Sequence, residues 1–423
     1  MIDIKELRAR PNEFEAAAKA KNVEIDIKHI LELDETVRTS QAELESIKAE
    51  KNEASKKIAK ASDDERAGLI KAMQEVDKRV DALKEAHGPA LDELTELLYR
   101  IPNPAMSDVT VSPTEDDNEV VRTVGEKTEF DFTPKDHETI ALGLGILDKE
   151  SAAEASAARF MYLKGDGVLL QLALIQYALS ITSKHGFSPT VVPHMINADS
   201  MRAMGYLEHG GHDEIYYLPK DNLYLIGTSE QAIGPMHKNK LMKEEELPAR
   251  YLGMSPCYRR EAGSYGKDTS GIYRMHQFDK VEMFSVTTPE NSEAEHKLIL
   301  SIEEELMTGL KIPYQVIKMV TGDLGLPAAR KYDIETWMPS RDKYQETHSS
   351  STTTDFQARR LNTRYKSKEG KNEFVHMLNG TAFAIGRTMI MILENNQEED
   401  GSVRIPEVLQ PFMGGKKKIE AKN

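Results

Sequence analysis

The chain is short of several things, and each shortage removes a class of protein. It has one cysteine, Cys257, in 423 residues. An internal disulfide is therefore impossible, and a reducing compartment is expected. Cys257 reads as a small strand residue or as a reactive thiol beside Arg259 and Arg260. There is no run of about 18 apolar residues, so no membrane-spanning helix is expected. The opening MIDIKELRARPNEF is charged and holds no apolar h-region, so we expect no secretory signal and a cytoplasmic location. The phosphate-binding pattern GxxxxGK followed by Ser or Thr does not occur. An excess of basic charge is missing too. The formal net charge is −15 and the pI about 5.4, so the field of the whole protein does not attract nucleic acid. Any RNA partner must be held by local basic patches.

What is present fits two domains or more. Apolar residues recur at three- and four-residue steps through Ile30, Leu33, Val37, Leu44, Ile47, Ala54 and Ile58, with Ser40 and Lys51 as polar interruptions. A second run holds Leu69, Met73, Val76, Val80, Leu83, Ala90, Leu94 and Leu97. Between them, ASDDERAG supplies the turn and cap residues Ser62 and Asp63. The pattern predicts an antiparallel helical hairpin over about 27–100, with arms of about 30 residues and roughly 45 Å. A dimerisation coiled coil or a plain bundle fits the periodicity equally. Gly88-Pro89 predicts a kink or break in the second arm, because proline lacks an amide donor and clashes with the preceding turn. The Pro- and Asp-rich stretch 101–119 reads as a linker, dividing the chain into 1–103 and 104–423.

Beyond the linker the pattern is mixed α/β. Val168–Thr182 is a helix too apolar for a single buried stripe, so it is deep core or part of a subunit interface. Ser292–Leu310 is an amphipathic helix. HGFSPTVVPHMI ends in a short strand, with Pro193 at its edge or end. A hairpin, YYLPKDNLYLI, leads to Gly227-Thr228-Ser229-Glu230, where Thr228 and Glu230 form either a helix cap or part of a site. The stretch Cys257–Glu282 reads as two strands joined by a Gly- and Ser-rich loop. It carries Arg259, Arg260, Glu261, Arg274, Phe278 and Glu282. Guanidinium groups suit bidentate phosphate contacts and stacking on flat rings, so this hairpin fits a nucleotide polyphosphate without a P-loop. Glu346 precedes a Ser/Thr run that is either a magnesium–phosphate ligand set or a solvated loop. Near the end, Asn379-Gly380-Thr381 leads into an apolar helix bearing Arg387, which is costly to bury unpaired and should face an anion or a ring. Lys416, Lys417 and Lys418 read as a solubilising tail.

The order and spacing of TSE, RREAGSYG, RMHQFDKVE, DFQARR and LNGTAFAIGRT resemble the seryl-tRNA synthetases, a family of class II aminoacyl-tRNA synthetases, over almost the whole chain. HGFSPTVVPHMI is similar to class II motif 1, Cys257–Glu282 to motif 2 and Asn379–Asn395 to motif 3. The resemblance implies an α+β fold: an antiparallel sheet with flanking helices, plus an N-terminal antiparallel coiled-coil arm that binds tRNA. It implies a homodimer, formed partly through motif 1, whose arm reaches tRNA across the dimer. Implied substrates are L-serine, ATP with Mg2+, and tRNA(Ser), with tRNA(Sec) open as a second acceptor. Serine carboxylate attacks the ATP α-phosphate, and the tRNA 3′-terminal hydroxyl then attacks the acyl carbon of the adenylate. Neither step needs a protein nucleophile, and no Ser/His/Asp arrangement stands out.

By the same resemblance, Arg259 holds the α-phosphate and the serine carboxylate, and Arg387 stacks on adenine opposite Phe278. These two arginines are the implied catalytic residues. Arg260 is an ATP-binding residue, Glu261 accepts from the adenine amino group, and Arg274 meets the outer phosphates. Glu346 and Ser349 bind Mg2+, and both belong, with Thr347 and His348, to the ATP-binding set. Thr228, Ser229 and Glu230 line the amino-acid pocket, and Glu230 pairs with the substrate ammonium. Glu282, Asn379 and Thr381 recognise the serine hydroxyl. Lys56, Lys57, Lys60, Arg66 and Lys71, near the arm's tip, are the candidate tRNA contacts, because the arm itself is more acidic than basic. ETHSSSTTT at 346–354 departs from the family's EISSCSN-like run, and Gly205-Tyr206-Leu207 is a reduced form of its GTGYLP-like run. Three alternatives remain: a synthetase of the same fold for threonine, glycine or proline; a ligase that loads a carrier protein; and a non-catalytic coiled-coil RNA-binding module. The arm argues against the carrier ligase. Arg259, Glu261, Glu282 and Arg387 argue against a module that has lost catalysis.

Overall fold

The computed structural model describes residues 2–59, 61–262 and 272–422. It divides into two compact units, one of residues 1–19 and 23–102, the other of residues 20–22 and 103–423.

The first unit is helical. Two short helices, α1 (Ile4–Ala9) and α2 (Pro11–Ala20), precede α3 (Ile27–Ile58) and α4 (Asp63–Arg100). The Asp26 side chain caps α3 by accepting from the His29 amide at 2.9 Å. Ser62 and Glu65 form a capping box at the start of α4. Contacts between the two long helices run from His29–Glu93 (2.9 Å) through Ser40–His87 (2.8 Å) to Lys51–Asp77. Partners climb one helix as they descend the other, so the pair is an antiparallel hairpin within one chain. The expected break at Gly88-Pro89 is absent: α4 runs through Pro89 unbroken. Proline removes one backbone hydrogen bond, and the many bonds of a 38-residue helix outweigh that loss.

The second unit is built on an eight-stranded sheet. In chain order its main elements are β1 (Glu119–Val124), α5 (Asp166–Thr182), β2 (Ser188–Val191), β3 (Ala249–Tyr258) and β4 (Gln277–Thr287). There follow α6 (Ser292–Leu310), β5 (Tyr314–Lys318), β6 (Arg330–Met338), β7 (Lys343–Thr352), β8 (His376–Ala384) and α7 (Ile385–Asn395). The strand order is β1-β5-β6-β7-β8-β4-β3-β2. All neighbours pair antiparallel except β2 and β3 at one edge, which are parallel. The predicted hairpin around the Gly-rich loop is β3–β4, with Phe278 opposite Cys257. Pro189 lies on the edge strand, where a missing amide donor is tolerated.

The main core lies where α5, α6 and α7 pack on the sheet, around Leu174, Val281, Ile299, Leu306, Phe383 and Met389. The deep-core reading of the Val168–Thr182 helix holds for one of its faces. Leu170, Ala173, Leu174 and Ala178 are buried, while Val168, Leu169 and Leu172 stand exposed. The Ser/Thr run after Glu346 is no solvated loop: it is the mostly buried inner strand β7. The Lys416–Lys418 segment is not a loose tail either. Lys418 pairs with Arg404 in a two-stranded ribbon, and Lys416 reaches Asp166 at 2.6 Å. Among the described residues, no helix is long and apolar enough to cross a membrane.

Candidate active site

Two neighbouring cavities open beside β4, β7 and β8. The first is lined by Phe278 and Lys280 from β4, Glu346, Thr347 and Ser349 from β7, Thr381 from β8, Tyr273 and Arg387. The second is lined by Gly205, Tyr206, Gly227, Gln231, Tyr258, Leu326 and Pro327. Arg259, Glu261, Arg274 and Arg387 line both.

Strand parity explains much of this. Phe278, Lys280 and Glu282 share one face of β4 because side chains alternate along a strand. Glu346 and Ser349 are three residues apart, which on a regular strand would put them on opposite faces. A register shift in the β6–β7 pairing leaves Thr347 as an extra residue, so both line the first cavity. The same bulge sends His348 into the core. There it lies edge-on to Phe383 with its Nδ1 2.8 Å from the Thr347 hydroxyl, and burial pulls it down to about 3.

Arg259 ties the two cavities together. Its Nε donates to the Gly227 carbonyl at 3.3 Å, and its guanidinium lies 5.3 Å from the Phe278 ring centre. Arg274 donates to Glu261 at 3.0 Å, and Glu261 adopts a left-handed backbone (φ 53°), a conformation non-glycine residues seldom hold. Arg387 bonds the Glu346 carboxylate at 3.1 Å and stacks on Tyr273 at 4.7 Å; the Tyr273 hydroxyl in turn donates to the Glu346 carbonyl at 2.9 Å. Burial would push Glu346 upward, but Arg387 and Lys331 outweigh it and hold the carboxyl well below its usual range.

Behind the cavities lies a buried polar cluster. Glu230 accepts from the Tyr206 hydroxyl at 2.8 Å, from Asn379, and from Gln357 at 3.4 Å. Lys280 contacts Glu282 at 2.5 Å and donates to Thr228 at 3.4 Å, while Thr381 donates to Glu282 at 3.3 Å. Burial first, and then Glu282, push Glu230 up to about 7. Burial also raises Glu282, against the pull of Lys280. Asn379 and Thr381 flank Gly380, where a Cβ would collide with Ile299 and Glu303 of α6.

Thr228, Glu230, Glu282 and Asn379 lie in the cluster rather than on the cavity walls, and three expected site residues reach neither. Arg260 turns outward, donating to the Ile215 carbonyl at 3.1 Å and stacking on Tyr216 at 4.8 Å. Ser229 faces the Gly253 backbone of β3. His348 is in the core, for the reason of parity given above. Thr347 lines the first cavity, yet its hydroxyl is engaged with Thr336 at 2.7 Å. The helix-cap reading of Thr228 and Glu230 fails, because Ser229 is the N-cap of the short helix Glu230–Ile233 and makes no side-chain cap bond. Sequence reasoning missed Lys280, Tyr206, Gln357 and Tyr273. The two-residue step from Lys280 to Glu282 was the available signal for the first. Lys56, Lys57, Arg66 and Lys71 are exposed near the turn between α3 and α4. Lys60 and the loop 263–271 lie outside the described residues.

Residues 1–105 match the model of the seryl-tRNA synthetase N-terminal domain, and residues 216–396 match that of the class II tRNA synthetase core domain for G, H, P, S and T. The serine–tRNA ligase of Thermobifida fusca is 44% identical over 98% of both chains. That of Cutibacterium acnes is 42% identical over 99% of both. The chain belongs to the seryl-tRNA synthetase family. A crystal structure of seryl-tRNA synthetase from Pyrococcus horikoshii complexed with ATP superposes with a TM-score of 0.92 at 36% identity, covering 100% of each chain. Prolyl-tRNA synthetase of Giardia lamblia, at 15% identity and a TM-score of 0.56 over 66% of this chain, shares the fold alone. Membership makes the chain a serine–tRNA ligase, an aminoacyl-tRNA synthetase with a class II core.

Proposed function

We propose that the two cavities and the cluster behind them divide the ligase reaction residue by residue. The supporting observation is that Arg259 lines both cavities while its neighbours Lys280 and Thr381 connect the first cavity to the buried cluster. One guanidinium thereby meets two anions, the serine carboxylate and the α-phosphate, which must approach each other. Adenine lies between Phe278 and Arg387, with Glu261 accepting from its amino group and Arg274 on the outer phosphates. Glu230 takes the serine ammonium. Glu282, with Asn379 and Thr381, takes the hydroxyl, and Thr228 borders the pocket. A pocket whose buried polar groups need that hydroxyl leaves them unpaired when alanine binds.

Mg2+ fits the residues present. Glu346 is a carboxylate kept ionised by its neighbours, and Ser349 adds a hydroxyl beside the same cavity. Such hard oxygen donors suit Mg2+, which takes few protein ligands and completes its shell with phosphate oxygens and water. When bound it would neutralise phosphate charge. The protein's own part is to hold Glu346 through Arg387 and to align the substrates.

The partners follow from the same reading. tRNA(Ser) is held by Lys56, Lys57, Lys60, Arg66 and Lys71 of the arm, with tRNA(Sec) a further acceptor to be tested. The second unit forms a homodimer through the apolar face of α5, exposed at Val168, Leu169 and Leu172, and the edge strand β2, where Val191 is 77% exposed. The location is the cytoplasm, where ATP and tRNA are found. Amino-acid-dependent ATP–pyrophosphate exchange tests the reading. Serine alone should support it; exchange driven by threonine or glycine would overturn the assignment, and none at all would favour an RNA-binding module.

A further inference from the structure

We infer that Lys21 and Asn103 are positioning residues that set the wall of the second cavity and, through it, the carboxylate that receives serine. Lys21 is 7% exposed, and among the described residues no carboxylate pairs with it: its ammonium donates to the carbonyls of Gly325 (3.1 Å), Leu326 (3.5 Å) and Ala328 (2.6 Å). Burying a lysine without a counter-ion is expensive, so the carbonyls it gathers must repay the loss of water. Asn103 completes the set. Its amide donates to the Leu326 carbonyl at 3.0 Å, and its side chain to the carbonyls of Pro327 (2.9 Å) and Thr353 (2.8 Å). Every carbonyl from Gly325 to Ala328 therefore accepts from one of two residues far away in sequence. Both lie where the chain passes between its two units.

The wall they hold is functional ground. Leu326 and Pro327 line the second cavity with Gly205 and Tyr206. Pro327 packs so closely on Gly205 (φ 91°) that a Cβ there would come within 2.9 Å of its Cγ. The next residue, Tyr206, donates its hydroxyl to Glu230 at 2.8 Å. The path runs from Lys21 and Asn103 to the backbone of 325–328, to the Pro327–Gly205 contact, to Tyr206 and to Glu230. No member of this path up to Gly205 lines the first cavity. A change at Lys21 should therefore move serine and spare ATP.

This inference rests on Glu230 being the serine-ammonium partner, so wild-type protein is measured first. Serine-dependent exchange by the wild type, with the serine KM raised in Glu230→Gln, upholds that reading; its absence overturns both. Lys21→Met and Pro327→Ala are then compared with wild type in the full chain. The expected result is a serine KM raised about tenfold in each variant, the scale of one lost hydrogen bond to a charged group, with the ATP KM held within about twofold. A purely structural role would lower melting temperature and the yield of active enzyme while leaving both KM values in place. Unchanged serine KM, or serine and ATP KM rising together, overturns the inference while leaving the serine assignment intact. Should Lys21→Met fail to fold, Pro327→Ala decides alone, because it removes the contact on Gly205 without emptying the lysine site.

Discussion

Glu230 sits where the physics of the site is least balanced. Burial and Glu282 push its carboxyl up to about 7, from an ordinary value of 4.5. That difference means ionising Glu230 in the free pocket costs about 3 kcal/mol more than in water, most of it from burial and the rest from the nearby Glu282. A serine ammonium needs the ionised form. Lowering the pH from 8 to 6 should then reduce kcat/KM for serine about tenfold, because the ionised fraction falls tenfold per unit below a pKa near 7. The ATP KM should stay level. Below pH 7, calorimetry in buffers of different ionisation enthalpy should show proton release on serine binding. For stability, the folded pKa is raised, so the neutral form's advantage is fully present below about 4.5 and is lost as pH rises through about 7. The unliganded protein should melt lower at pH 8 than at pH 5.5, with serine narrowing the gap. Glu230→Gln keeps the shape and removes the titration. It should raise the serine KM by about ten- to a hundredfold and flatten its pH slope. A flat wild-type profile, or a glutamine variant that keeps the slope, would refute the argument.

Three further outcomes are expected. Glu282→Ala should raise the serine KM far more than the ATP KM, since Glu282 bonds Thr381 and Lys280 and lines neither cavity; collapse of ATP affinity alone would show it misassigned. Joining residue 26 to 101 removes the helical hairpin, and the join can close because Lys21 and Asn103 already meet at Leu326; exchange should survive and tRNA charging should fail, whereas equal loss of both would refute the division of roles. Leu169→Glu with Leu172→Glu should convert a dimer to a monomer by light scattering, and a dimer that persists would exclude this face.

The stretches that could be read from sequence were those where one periodicity ruled. Heptads gave the hairpin, and alternation gave β3 and β4 on either side of the Gly-rich loop. Ser292–Leu310 came out to the residue as α6. What escaped was decided by tertiary context. Pro89 argues for a break by local chemistry, yet a long helix carries it. Arg260, adjacent to Arg259, looks equally fit for phosphate, but neighbouring residues at a strand end point apart, and Arg260 serves the 215–216 backbone instead. The β7 bulge is the clearest case. Resemblance named 346–349 as one block, but a strand offers a cavity only one face. A one-residue shift in pairing with β6 decides that Glu346 and Ser349 share that face and His348 does not. No feature of ETHSSSTTT marks the shift, because it is set by the partner strand. The same reasoning explains why Lys280 was overlooked. Its sequence neighbours suggest a solvated charge, whereas its position two residues before Glu282 places it on the buried face, where its ammonium contacts Glu282 and opposes the upward push of burial on that carboxyl. The charge balance of the pocket is thus a property of strand register, and any substitution that slips β4 against β8 by one residue would turn Lys280 and Glu282 together away from the substrate.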